Sequence, residues 1–181
     1  MKTLLLSVLL SVVVLGGAFG QSVDGIVKKS EYARQVSADN GNVVIAWTIK
    51  DDRVFFGLDF KAKGWIAIGF DPTSVMANAD MVFGMVPESG PVEAIDAYST
   101  GTFGPHPPDA QLGGAPSVLQ FAGSRQGDRI HFEFVRLLKT GDRYDKDIPS
   151  AGKLKIIWAY GPSMSFTAKH SKAGSVTVTM E

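Results

Sequence analysis

The chain has 181 residues, 45% of them hydrophobic, with 18 Lys and Arg balanced by 18 Asp and Glu. That balance supplies no basic footprint for nucleic acid, whose phosphates have to be neutralised on binding. There is no cysteine, which excludes disulfides, Cys-ligated zinc, iron–sulfur clusters, blue copper, thiol catalysis and covalently attached c-type haem.

Residues 1–20 read as a secretory signal. Lys2 provides the positive start, 4–15 is an almost wholly apolar run, and Ala18-Phe19-Gly20 is a small-x-small cleavage site. The run is short for a bilayer span. Cleavage leaves 21–181 as one exported domain, with no membrane span in the mature chain, secreted or held in a periplasm.

Eight short runs rich in β-branched and aromatic residues follow, at 43–49, 54–60, 65–70, 81–86, 118–121, 130–135, 154–160 and 175–179. Turn signals separate them, among them Asp51-Asp52, Lys63-Gly64, Asp71-Pro72, Gly90-Pro91 and Gly127-Asp128. No amphipathic helical pattern intervenes, so the spacing predicts an all-β antiparallel sandwich. The stretch 100–116 contains Pro105, Pro107 and Pro108, which cannot donate to a central ladder. It reads as a surface loop walling a site at one end of the sandwich.

Enzyme machinery is not apparent. The chain has no Gly-x-Gly-x-x-Gly leading a helix, no HExxH and no Gly-x-Ser-x-Gly. Asp142, Asp145 and Asp147 lack the spacing of an EF-hand loop and have Arg143 and Lys146 among them, so they read as a solvated turn. Of the three histidines, His131 shares with Glu133 the strand face opposite Ile130, Phe132 and Phe134, which predicts solvent exposure. His106 sits in the Pro-rich loop without a partner at ligand spacing, and His170 lies in a turn feeding the last strand. Met81 and Met85 share one face of a strand and read as core. Met76, in contrast, falls in a polar turn with no core to fill, and its flexible thioether suits contact with a ligand.

The stretch Gly64-Trp65-Ile66-Ala67-Ile68-Gly69-Phe70-Asp71-Pro72-Thr73, continued by Met76-Ala77-Asn78-Ala79-Asp80-Met81-Val82-Phe83-Gly84, resembles the signature of DOMON domains. Asp96-Ala97-Tyr98-Ser99, Asp109, the 132–142 segment with Asp145, Ile157-Trp158-Ala159-Tyr160-Gly161 and His170 extend the resemblance over nearly the whole mature chain. This extracellular family includes the cytochrome domain of cellobiose dehydrogenase and a domain of dopamine β-monooxygenase. The resemblance implies an immunoglobulin-like β-sandwich whose interior takes a haem or, in other branches, a sugar or related ligand. In the haem-binding branch the axial ligands fall at Met76 and His170, with Lys169 as an alternative to its neighbour because a related haem subunit pairs Met with Lys.

Without Cys-x-x-Cys-His, such a haem is noncovalent haem b, and Lys169 and Lys172 flank His170 where its propionates could pair. The expectation is an exported b-type cytochrome, not itself an enzyme, passing electrons to a redox partner protein or small acceptor. Two alternatives stand beside it. One is a haem-free carbohydrate module stacking sugars on Trp65, Tyr98 or Tyr160; the other is a copper carrier using Met and His.

Overall fold

The computed structural model describes residues 21–181; the proposed signal, 1–20, lies outside the described residues. Ten strands form two antiparallel sheets. The strands are β1 (Arg34–Ala38), β2 (Val43–Lys50), β3 (Arg53–Lys61), β4 (Ile66–Phe70), β5 (Asp80–Met85), β6 (Glu93–Tyr98), β7 (Gln120–Gln126), β8 (Arg129–Leu137), β9 (Gly152–Tyr160) and β10 (Lys172–Met180). One short helix, α1 (Asp109–Leu112), interrupts the loop between β6 and β7. The first sheet runs β1-β2-β3-β8-β7 and the second β10-β9-β4-β5-β6.

All eight runs read from the sequence meet a strand, although 118–121 catches only the first two residues of β7. The two missed ones are edges, and each is polar enough to hide. β1 is Arg-Gln-Val-Ser-Ala and buries no residue fully, while β6 begins on Glu93 at the end of the second sheet. Short polar edges are one way in which sheets avoid pairing with other chains.

Between the sheets, Phe56, Leu58 and Phe60 of β3 and Phe132 and Phe134 of β8 meet Ile66, Ile68 and Phe70 of β4 and Ile156 and Trp158 of β9. Phe56 lies 5.2 Å from Phe134 and 5.3 Å from Phe70, ring centre to ring centre. Each such side chain contributes about 1.5–3 kcal/mol through burial.

The second sheet is apolar on both faces. Every residue of β4 and β5 is buried, and the face turned away from the core gathers a separate cluster of Trp65, Ala67, Met81, Phe83, Met85 and Ala97. Met81 and Met85 do share a face, but it is this outer one. A two-sided apolar sheet needs a second cover, and here loops provide it.

The first sheet is also covered, which corrects the reading of His131. His131 is 7% exposed and Glu133 fully buried, because the segment before β1 lies across them. Glu133 Oε2 accepts from the amides of Asp24 (2.9 Å) and Gly25 (2.7 Å), and Oε1 accepts from the Tyr32 hydroxyl at 2.5 Å. His131 Nδ1 accepts from the Val27 amide at 3.3 Å, and Nε2 lies 3.4 Å from Asp59. Alternation assigned the face correctly; the strap over it left no periodic trace.

The Asp142–Asp147 turn is only partly solvated. Asp147 is exposed beside Lys139, but the Asp145 side chain is 2% exposed and points inward toward Arg136. Asp142 is half-buried and caps the amides of Ala115 and Tyr144, each at 2.8 Å.

Candidate functional site

A cavity of about 1280 Å³ lies over the outer face of the second sheet, not in the sandwich interior that the family resemblance implied. The interior is filled by the Phe layer; the outer face is where space remains. The cavity floor is made of small residues, Ala67 and Gly69 on β4, Ala159 on β9 and Ala173 on β10. At Gly69 even a methyl group would sit 2.9 Å from Ile157 Cγ1 and 3.1 Å from Met81 Cγ, so the glycine keeps the floor flat. The walls are aromatic. Phe83 lies 5.1 Å from Trp65, 5.9 Å from Phe166 and 6.3 Å from the His106 ring.

Three loops carry the candidate donors. Met76 hangs from the β4–β5 turn, a tight structure in which Thr73 N and Thr73 Oγ1 both bond Ala77 O, and Asn78 N bonds Ser99 O. Beside it, Val75 takes a left-handed φ of 45° and is 60% exposed. That conformation is costly for a β-branched residue and persists only where surrounding bonds impose it. Met76 is half-buried and packs on the outer apolar cluster. His170 comes from the β9–β10 loop, whose ends are tied by Gly161 N to Trp65 O (2.8 Å) and Ser171 N to Tyr160 O (2.8 Å). Both Met76 and His170 line the cavity.

His106 is the residue the sequence reading missed. It has no partner nearby in sequence, yet the Pro-rich loop folds it into the same cavity. Burial, with a smaller contribution from nearby His170, holds it below the usual imidazole range, so it is neutral at pH 7. Its Nδ1 and the Nε1 atoms of Trp65 and Trp158, all three on cavity-lining residues, are buried without a protein partner. They are polar handles on an otherwise apolar wall, the usual make-up of a small-molecule site.

The lysines also rearrange. Lys172 is engaged by Asp39, which also accepts from the Tyr160 hydroxyl at 3.0 Å. Lys169 stays exposed on the cavity lining, joined there by Lys155. Of the aromatic residues considered as sugar platforms, Trp65 lines the cavity but is 3% exposed, while Tyr98 and Tyr160 lie outside it. Among the described residues, no helix is long and apolar enough to cross a membrane.

The fold recurs among solved structures, two of which are cytochrome domains. The chain superposes on the cytochrome b domain of pyranose dehydrogenase from Coprinopsis cinerea with a TM-score of 0.59 at 14% identity, covering 80% of each chain. For the cytochrome domain of cellobiose dehydrogenase from Myriococcum thermophilum the TM-score is 0.54 at 11% identity, covering 82% of this chain and 81% of that one. By sequence it is 31% identical to DBH-like monooxygenase protein 1 of Homo sapiens over 127 residues, and 31% identical to the Mus musculus protein over 130. Those matches take in 70% and 71% of this chain but only 20% of either relative, so the chain spans about a fifth of their length. The DOMON domain model matches residues 39–161, from the turn after β1 to the end of β9. The chain therefore belongs to the DOMON domain family.

Proposed function

We propose that this DOMON domain is an exported b-type cytochrome, an electron carrier in which Met76 and His170 are the axial ligands of a noncovalent haem b. The observation that carries the reading is their meeting: a thioether and an imidazole, from loops far apart in sequence, line one cavity above a flat floor.

The residues present fit that group. A floor of Ala67, Gly69, Ala159 and Ala173 admits a flat macrocycle, and the aromatic walls offer the apolar contact that a noncovalent haem depends on. At about 1280 Å³ the cavity sits above the usual range of roughly 300–1,000 Å³ for ligand sites and far above what a single ion needs, which disfavours the copper reading. A bound haem supplies one-electron redox chemistry, and Met/His ligation raises its potential.

The chain's own part is to position and shield. Met76 is held by the hydrogen-bonded β4–β5 turn, and His170 by the pinned β9–β10 loop. Were Met76 and His170 both to hold the iron, no coordination position would be left for dioxygen, as befits a carrier rather than an oxygenase; the monooxygenase activity named for the longer relatives belongs to those proteins. Lys155 and Lys169, exposed on the cavity lining, would be available to pair with carboxylates of the ligand, and a redox partner protein or small acceptor would take the electron at that edge. The sugar-binding alternative is the weaker one, since of its three platforms only Trp65 lines the cavity, and that ring is packed against Phe83. Export rests on residues 1–20 alone. Titration with haemin tests the proposal: stoichiometric uptake with a low-spin spectrum supports it, and a protein that stays colourless overturns it.

A further inference from the structure

β1 and β10 are edge strands of the two sheets, and one carboxylate joins them beside the loop that carries His170. Asp39, in the turn between β1 and β2, pairs with Lys172, the first residue of β10. It also accepts from the hydroxyl of Tyr160, the last residue of β9, at 3.0 Å. Tyr160 and Lys172 are register partners, and Ser171 N bonds Tyr160 O at 2.8 Å. They form the neck of the loop 161–171, so a single carboxylate from the other sheet grips both sides of that neck. His170 lies two residues before Lys172.

The turn is built to aim Asp39. Its φ is 50°, followed by 53° at Asn40 and 87° at Gly41, and a left-handed residue other than glycine persists only where its surroundings impose it. Here Asn42 N bonds Asp39 O at 3.0 Å, and the Asn42 side-chain amide reaches Asp39 Oδ2 at 3.4 Å. The Asp39 side chain is 2% exposed against 52% for Lys172, which separates this contact from an ordinary pair between two solvated side chains. The first limb of the loop is anchored elsewhere, by Gly161 N to Trp65 O and Trp65 N to Ser163 O. The limb with His170 depends on the Ser171 bond and on the grip of Asp39.

We propose, on the reading of His170 as an iron ligand, that Asp39 is its positioning residue. Asp39, Tyr160 and Lys172 all lie outside the cavity lining, so the carboxylate touches no ligand and acts through the loop it closes. Groups that orient a metal ligand in this indirect way typically carry a tenfold to hundredfold share of metal affinity.

Two measurements test this separately from the haem reading. On the haem-free chain, Asp39→Asn and Lys172→Met should each speed hydrogen exchange of the Ser171 amide at least tenfold, with the amides of β3 and β8 unchanged. Asn tolerates the left-handed φ and still accepts from Tyr160, so that variant isolates the ion pair. On the haem-loaded chain, each should speed haem transfer to excess apomyoglobin by about tenfold or more, and the double variant should be no faster than the faster single, because both remove one contact. Glu181→Gln breaks the pair of Arg34 with Glu181 (2.7 Å) at the other end of the same edge strands and should change neither rate. Unchanged Ser171 exchange in both variants overturns the latch, and faster exchange with unchanged haem loss overturns its part in holding the ligand. A parent chain that takes up no haem refutes the haem reading and with it the role at the iron, while Ser171 exchange still decides whether Asp39 closes the loop. Should Asp39→Asn fail to fold, Lys172→Met at its half-exposed position decides.

Discussion

Met76 and His170, one on the β4–β5 turn and the other on the β9–β10 loop, both line the cavity above Ala67 and Gly69. As the proposed axial pair, they share one spectral signature. Met76→Ala and His170→Ala should each convert bound haem to high-spin or lose it. His106→Ala should keep the low-spin spectrum; if instead it alone abolishes that spectrum, the imidazole ligand is His106. His131→Ala should leave the spectrum untouched but lower stability, since His131 is buried on the other sheet.

The flat floor can be tested by raising it. Gly69→Val places a branched side chain into the contacts with Ile157 and Met81 that a single methyl already makes too close. Those neighbours are flexible side-chain atoms, so the fold should survive at a cost of about 1–3 kcal/mol. Haemin affinity should fall at least tenfold while the far-ultraviolet dichroism of the strands stays the same.

Both clusters that the sequence concealed follow from long-range closure. The eight hydrophobic runs mark the sheets because alternation and length are local properties. The same text could not tell that β4 and β5 are buried on both sides, since a continuous apolar run fits either a packed core strand or a sheet covered by loops. Met76 was legible as an apolar residue without a core. His106 was not, because what brings it to the cavity is a loop path and not a spacing. Asp145 was misread for the same reason: a run of Asp, Arg and Lys is usually solvated, and only the meeting of Arg136 with Asp80 shows which of its carboxylates turns inward.

The strap over the first sheet makes a pH prediction. Burial holds Glu133 above its ordinary value near 4.5 despite the hydroxyl of Tyr32 and the amides of Gly25 and Asp24; the Asp24 carboxylate adds repulsion, and Lys28 is the cation on the strap that senses it. A carboxyl raised in the folded state takes up more protons there than in the unfolded chain. Its contribution is therefore fully present below about pH 4.5 and is lost as pH rises through the folded value. Tyr32→Phe removes a donor to this buried carboxylate, costing about 1–3 kcal/mol in urea unfolding at neutral pH. The loss should shrink as the pH is lowered toward 4.5.

Arg136, fully buried, donates to the buried Asp80 carboxylate at 2.5 Å and to Lys146 O at 3.1 Å, lies 3.6 Å from Asp145, and sits 5.5 Å from the Phe70 ring centre, guanidinium carbon to centroid. Arg136→Met should destabilise the domain by about 3–5 kcal/mol, the usual cost of orphaning a buried charge. The loss is read as a fall in the urea midpoint relative to the parent chain.

The central claim is that the cavity over the second sheet holds a haem between Met76 and His170. Stepwise addition of haemin to the purified chain, followed by dithionite under nitrogen, tests it in one cuvette. Saturation at one haem per chain, a sharp low-spin Soret band, and resolved α and β bands on reduction are the expected result. A spectrum that never departs from that of free haemin, or a high-spin complex that binds carbon monoxide as readily as an open five-coordinate site, would contradict it.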